Sequence, residues 1–250
     1  MNITSPFGYG EIVPFLKNQK VLLPKAGEIP EFCWAVNAVP VSFAEFAQVS
    51  RDYPIVFTSG DNGESFAPVA VLGMQSAENL FIEPGSVPPR WVQGVYLPAY
   101  VRRYPFCMAR VTREAVEQKE RLICVEKRHL DDAGELLFDG EGTASSRWQE
   151  IERLLQEYEV DLERTREMCG ILSDYGLMEP FTMQANMNQG GAMHMTGMYR
   201  VDEKKLEFLN AAQHKVLIKK RVMGRIYLHL AALEGFGRLL DRKAQRVRAA

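Results

Sequence analysis

"SRWQEIERLLQEYEVDLERTREMCGILSDYG", residues 146–176, decides the fold class, because here the spacing of apolar residues changes for the rest of the chain. Trp148, Ile151, Leu155, Tyr158, Leu162, Thr165, Cys169 and Leu172 recur at alternating intervals of three and four, with Glu and Arg filling the positions between. That is the stripe of an amphipathic helix. Ser146 with Gln149 three residues on offers a capping box, and Gly176 offers the stop. One helix of about 30 residues is predicted. Its stripe has two uses: to pack on the rest of the chain, or, being heptad-like, to hold a homodimer.

Upstream the segments are short and extended. "CWAVNAVPVS" (33–42), "YPIVFTS" (53–59), "FAPVAVLGM" (66–74), "NLFIE" (79–83) and "RLICVEKR" (121–128) are rich in Val, Ile and aromatic residues, the composition of strands. "GDNGES" (60–65) supplies Asp, Asn and two Gly, which predicts a β-hairpin over 53–74. "SFAEFAQVSRD" (42–52) reads as a short helix capped by Ser42, with Phe43, Phe46 and Ala47 turned inward.

Downstream of the long helix, "FTMQANMNQGGAMHMTGMYRV" (181–201) alternates with a period of two on both sides of an Asn-Gln-Gly-Gly turn signal, the pattern of a second hairpin. "DEKKLEFLNAAQHKVLIKKR" (202–221) predicts a helix from the cap Asp202, and Val222, Ile226, Leu230, Leu233 and Leu240 define a last amphipathic helix. No internal repeat or low-complexity linker interrupts the chain. The expected architecture is α+β in one domain, 1–250: a β-rich N-terminal part (1–140) with mainly antiparallel strands, packed against long C-terminal helices and a β-hairpin (141–250).

The composition is that of a soluble globular protein, with 46% hydrophobic and 25% charged residues. No apolar run reaches the length of a membrane span, and the N-terminus lacks the basic and apolar regions of a secretory signal, so the expected location is cytoplasmic. Cys33, Cys107, Cys124 and Cys169 stand singly, which predicts four buried, reduced thiols rather than a zinc knuckle or redox motif. Net charge is −2, yet residues 214–250 carry +8 and the remainder −10. That basic end suits a solvated helix face or a docking element for a partner; with few interleaved aromatics it gives no basis for nucleic-acid binding.

Signatures of hydrolases, zincins, P-loops and dinucleotide-binding folds are absent. His129, His194, His214 and His229 show no metal-ligand spacing, so neither a metal nor a cofactor is expected. His194, on the polar face of the Met-rich hairpin, is the best single candidate for acid–base work, with a glutamate such as Glu45 the alternative in an enzymatic reading; a surface or structural histidine is the simpler account. Seven of the eleven methionines fall within 31 residues, from Met168 to Met198, as core filler or as an adaptable apolar groove.

The densest cluster of interaction chemistry is "RWVQGVYLPAYVRRYPF" (90–106). Arg90, Trp91, Tyr96, Tyr100, Arg102, Arg103 and Tyr104 combine aromatic faces with guanidinium groups, the residue types that dominate binding hot spots. Pro98 opens and Pro105 ends a short helix that turns Arg102 and Arg103 to different sides, so that one arginine can reach a carboxylate such as Asp52 while the other faces outward. The competing reading is an aromatic corner clamped from within.

The order of "AVPVSFAEFAQVSRDYPIVF", "PVAVLGMQSAENLFIE", "RWVQGVYLPAYVRRYPF" and "GMYRVDEKKLEFLN" resembles the SapC family of bacterial proteins, over residues 36–240. The resemblance implies a non-catalytic accessory role in surface-protein export or processing, with a polypeptide partner. Relatives encoded near genes resembling flavin-dependent tryptophan halogenases imply the alternative of a flavoenzyme partner, or an enzyme acting on an aromatic small molecule. No catalytic residue is carried over from the family.

Overall fold

The stripe of 146–176 produces the expected helix, which spans Ser146–Asp174. Trp148, Leu155, Tyr158, Thr165, Met168, Cys169 and Leu172 are buried, while Arg153, Glu157, Glu163 and Arg166 on the other face are exposed. The stripe is therefore used within the chain. Its cap is Ser145 rather than Ser146, since the Ser145 hydroxyl accepts the Trp148 N–H at 3.2 Å. At the other end Gly176 takes φ +63°, Leu177 N–H reaches the Leu172 carbonyl and Gly176 N–H the Ser173 carbonyl. These two bonds form a Schellman motif, which satisfies carbonyls left over by the last turn.

The computed structural model describes residues 2–249 apart from 26, 62, 114–115 and 187–191. In chain order the strands are β1 (Asn2–Ile3), β2 (Ile12–Pro14), β3 (Lys20–Val21), β4 (Ala38–Pro40), β5 (Ile55–Thr58), β6 (Ala67–Val71), β7 (Phe106–Arg113), β8 (Val116–Glu126), β9 (Glu135–Leu136), β10 (Met178–Asn186) and β11 (Ala192–Val201). The helices are α1 (Phe46–Asp52), α2 (Ala99–Arg102), α3 (Ser146–Asp174), α4 (Ala211–Lys219), α5 (Val222–Ala232) and α6 (Gly235–Ala249). The fold is α+β, and among the described residues the strand pairings are antiparallel. The chain divides into two compact units, each gathered from three segments: Met1–Trp34, Ile82–Val92 and Ala99–Val160 in the first, Ala35–Phe81, Gln93–Pro98 and Asp161–Ala250 in the second.

The first unit holds a four-stranded sheet of order β1-β7-β8-β2 and the two-stranded β3-β9. Val21, Phe106, Val125, Leu137, Phe138, Trp148 and Leu155 form a core cluster in it. Burying each large side chain contributes about 1.5–3 kcal/mol. β7 was not anticipated, because Arg110, Thr112 and Arg113 dilute its apolar run. Two expected strands change character. In 33–42 only Ala38–Pro40 is extended, and Glu31–Ala35 winds into a 3-10 helix. In 79–83 the Asn79 side chain accepts the Phe81 N–H at 2.9 Å, an Asx turn that leaves Ile82 as one bridge to Trp91.

The second unit is built on a five-stranded sheet of order β10-β11-β5-β6-β4. The 53–74 hairpin forms as predicted, with Ile55 opposite Ala70 and Thr58 opposite Ala67. Residues 42–52 give a 3-10 turn, Phe43–Glu45, followed by α1, and Val49 rather than the exposed Ala47 joins Phe43 and Phe46 in the interior. The Met-rich hairpin also forms, though its turn at 188–191 and Met187 lie outside the described residues. Its alternation breaks where Phe181 opposes Met198 but Met183 opposes Met195. Gly197, at φ +78°, absorbs the extra residue as a β-bulge and turns Met198 inward. Met168, Met183 and Met198 are buried.

The segment 202–221 is two elements: Asp202 caps a 3-10 helix, Glu203–Phe208, and Asn210 with Gln213 forms the capping box of α4. The last helix is likewise divided into α5 and α6. α5 lies against α1, β5 and β11. Its His229 is fully buried, with Nδ1 2.8 Å from the Ile55 carbonyl and Nε2 accepting the Val201 N–H at 3.1 Å. A carbonyl can only accept, so the proton sits on Nδ1 and the ring is neutral.

Candidate functional site

In the first unit, α2 and the residues after it deliver Tyr100, Arg103 and Tyr104 to one aromatic nest. The Tyr9 ring lies 6.3 Å from Tyr100, 5.2 Å from Tyr104 and 6.0 Å from Phe32. The Arg103 guanidinium sits 4.4 Å above the Tyr100 ring, 4.7 Å above Tyr158 and 5.6 Å above Tyr9. Arg103 is only 5% exposed, and its Nε has no hydrogen-bond partner among the described residues. The negative faces of the rings provide the counterpart that a buried cation needs. Burial raises Tyr100 to about 12 and Tyr9 well above its usual range, so both rings stay neutral.

Beside the nest, Tyr104 is the hub of a polar web. Its hydroxyl lies 2.8 Å from His129 Nε2, and His129 Nδ1 lies 2.7 Å from the Leu22 carbonyl. The carbonyl can only accept, so Nδ1 carries a proton, and in the neutral ring Nε2 is then the acceptor for the Tyr104 hydroxyl. The same phenol oxygen accepts from Arg128 Nε at 3.2 Å and Nη2 at 2.9 Å. Arg128 is held in turn by Glu126 Oε1 at 2.6 Å and Glu31 Oε2 at 2.7 Å. Burial pushes the Tyr104 phenol upward while the Arg128 hydrogen bond pulls it down, and burial wins. The group is thus a neutral phenol aligned for proton exchange with an imidazole, under a partly exposed arginine.

The rim of this web is aromatic and reaches solvent. Phe7 is 57% exposed and meets Phe32 edge-on at 6.4 Å, and Trp34, on the same 3-10 helix as Phe32 and Glu31, is 42% exposed. Gly8 permits the approach. Its φ is +79°, and a Cβ there would stand 2.5 Å from Phe32 Cδ2.

The other sequence-predicted residues are placed differently. Trp91 is buried opposite Ile82, Arg90 is exposed opposite Glu28, and Arg102 is exposed at the end of α2. Tyr96 belongs to the second unit, where its hydroxyl donates to Glu45 Oε1 at 2.9 Å and its N–H to Asp52 Oδ2 at 3.0 Å; the Tyr53 hydroxyl donates to its carbonyl. Glu45 also accepts from the Ser42 N–H and hydroxyl, so that buried carboxylate is occupied in holding the turn before α1. His194 is exposed on β11 opposite Gln184.

Sequence reasoning missed Tyr9, Phe32, Glu126, Arg128, His129 and Tyr158. The available signal was the Arg128–His129 pair that closes the apolar run "RLICVEKR". The four cysteines are buried and free; burial raises Cys107 and Cys169 to about 12 and Cys124 to about 11, keeping them as thiols. Among the described residues no group of three His, Cys, Asp or Glu could hold a metal ion, and no helix is long and apolar enough to cross a membrane.

Residues 21–239 match the SapC family. No curated protein and no solved structure matches the chain.

Proposed function

The chain belongs to the SapC family, and on that basis we propose that it is an accessory protein that captures a polypeptide partner in surface-protein export or processing. The contact face in this reading is the rim of the first unit: Phe7, Phe32 and Trp34 with Arg128. The observation that carries it is the exposure of Phe7, which meets Phe32 of the nest, and of Trp34, one 3-10 turn after the Glu31 that helps Glu126 hold Arg128. Such side chains bury much area at small entropic cost, and a pre-ordered guanidinium adds directional recognition of a carboxylate or backbone carbonyl. Arg103, Tyr100 and Tyr104 act beneath this face as its support, being buried themselves.

The test is capture of a polypeptide by immobilised wild-type protein and by the Trp34→Ala and Arg128→Gln variants. A polypeptide retained by the wild type and lost from both folded variants supports the reading; equal retention by all three overturns it.

One observation favours a second reading. The Tyr104–His129 pair is an acid–base arrangement, and with aromatic walls it suits an enzyme, or a flavoenzyme's accessory, acting on an aromatic small molecule. Turnover of such a compound by the wild type, abolished in His129→Ala, distinguishes it from the accessory role.

A further inference from the structure

In the second unit, the turn Phe43–Glu45 is clamped by α3. Thr165 Oγ1 accepts the Phe43 N–H at 2.9 Å, and Asp161 Oδ2 accepts the Ala44 N–H at 2.6 Å. The Phe43 ring, itself buried, is flanked by two guanidinium groups: Arg225 at 4.1 Å and Arg164 at 4.5 Å from its centroid. Arg225 Nε also donates to the Phe43 carbonyl at 3.3 Å, and Arg164 Nη1 to Asp161 Oδ1 at 3.2 Å. Arg221, exposed and left-handed (φ +59°) just before α5, lies close enough to Arg225 for the two positive charges to repel.

The charges in this cluster do not balance. Asp161 is the acidic group acting on Arg225, and its two oxygens already serve Ala44 and Arg164. Neighbouring cations are paired locally, Arg166 with Glu163 and Lys220 with Glu167. Among the described residues, by contrast, the Arg225 hydrogen bond goes to a backbone carbonyl, and the Arg221 side chain has no partner. Burial first, then the positive charges of Arg164 and Arg221, hold Arg225 below its ordinary proton affinity. Two guanidiniums fixed against one ring, with a third beside them, form a preorganised excess of positive charge.

We infer that Arg164, Arg221 and Arg225 form an oxyanion-binding site, whose charge best matches a dianionic phosphate group. Guanidinium forks bind phosphate oxygens in pairs, and fixing them on Phe43 removes the ordering cost that surface arginines pay on binding. The site accounts for part of the positive charge concentrated after residue 214, and it uses no residue of the aromatic nest in the first unit.

The test is isothermal titration of the full chain with inorganic phosphate at constant ionic strength, with potassium chloride as the reference. Saturable binding is expected, weakened roughly tenfold by Arg225→Gln, the loss of one charged hydrogen-bonding group. Arg221→Gln, an exposed substitution that leaves the packing on Phe43 intact, weakens it several-fold and serves if the Arg225 variant misfolds. Tighter binding of phenyl phosphate than of inorganic phosphate identifies the source as a phosphate ester, and the reverse identifies free phosphate. A response no greater than that to chloride, or equal affinity in the wild type and Arg221→Gln, overturns the site.

Discussion

The hydroxyl of Tyr104 and Nε2 of His129 lie 2.8 Å apart, with the imidazole tautomer fixed by the Leu22 carbonyl on its far side. Tyr104→Phe keeps the ring in the nest and removes only the oxygen, leaving Arg128 and His129 each short of a partner. Stability is expected to fall by about 1–2 kcal/mol, measurable as a lower urea midpoint at unchanged slope. A variant as stable as the wild type would mean that water serves those groups equally well.

His229 makes the second unit acid-sensitive. Burial, the largest cause, lowers it from the ordinary 6.5 to about 4. Above pH 6.5 neither folded nor unfolded chain protonates this ring, and its contribution is complete. As the pH falls from 6.5 towards 4, the unfolded chain takes up a proton that the folded chain refuses, so stability declines, by about 3 kcal/mol in all. His229→Gln keeps an acceptor for Val201 and a donor for Ile55 but does not titrate. The difference in unfolding free energy between the two proteins should therefore shrink as the pH is lowered across that window, and a constant difference would exclude His229 as the sensor.

Arg103 is enclosed by three tyrosine rings, and its replacement separates packing from charge. Arg103→Ala removes the stem and the ring contacts together and should cost about 2–4 kcal/mol. Arg103→Met preserves most of the volume and relieves the burial of a charge, so it should cost distinctly less. Thermal unfolding that ranks Met below Ala would show that the guanidinium itself, not its bulk, holds the nest together.

Gly8→Ala and Gly85→Ala compare two glycines at positive φ. Gly85, at +70°, has nothing within 4 Å of an added Cβ, so its alanine should cost only the left-handed backbone penalty, about 1–2 kcal/mol. At Gly8 the added atom meets the Phe32 ring as well. The expected loss is larger there, and capture of a polypeptide partner should fall with it, because Phe32 belongs to the proposed face. Equal destabilisation in the two variants would mean that Phe32 moves aside freely.

Local pattern made α3 and both hairpins legible, since each signal lies within a single stretch: a stripe of three and four, or two alternating runs about a Gly-rich turn. Where side chains competed with that pattern the reading failed. Asn79 bent an apolar run into an Asx turn, and Gly197 shifted the face of β11 by one residue. Of the candidate site, Tyr100, Arg103 and Tyr104 were readable because they are contiguous with other aromatics. Tyr9, Phe32, Arg128 and His129 reach them only through the pairing of β7 with β8 and the looping of the N-terminal segment, and no spacing in the sequence encodes that proximity.

The strand order β10-β11-β5-β6-β4 has a consequence in time. The ribosome completes β4, β5 and β6 by Val71, yet β11, the second neighbour of β5, begins only about 120 residues later, which at normal elongation speed is a delay on the order of ten seconds. Throughout that interval the open edge of β5, with Ile55, Val56 and Phe57 beside it, is available to any other extended segment in the nascent chain or its surroundings. The hairpin that was easiest to recognise is thus the part of the newborn protein most in need of a chaperone.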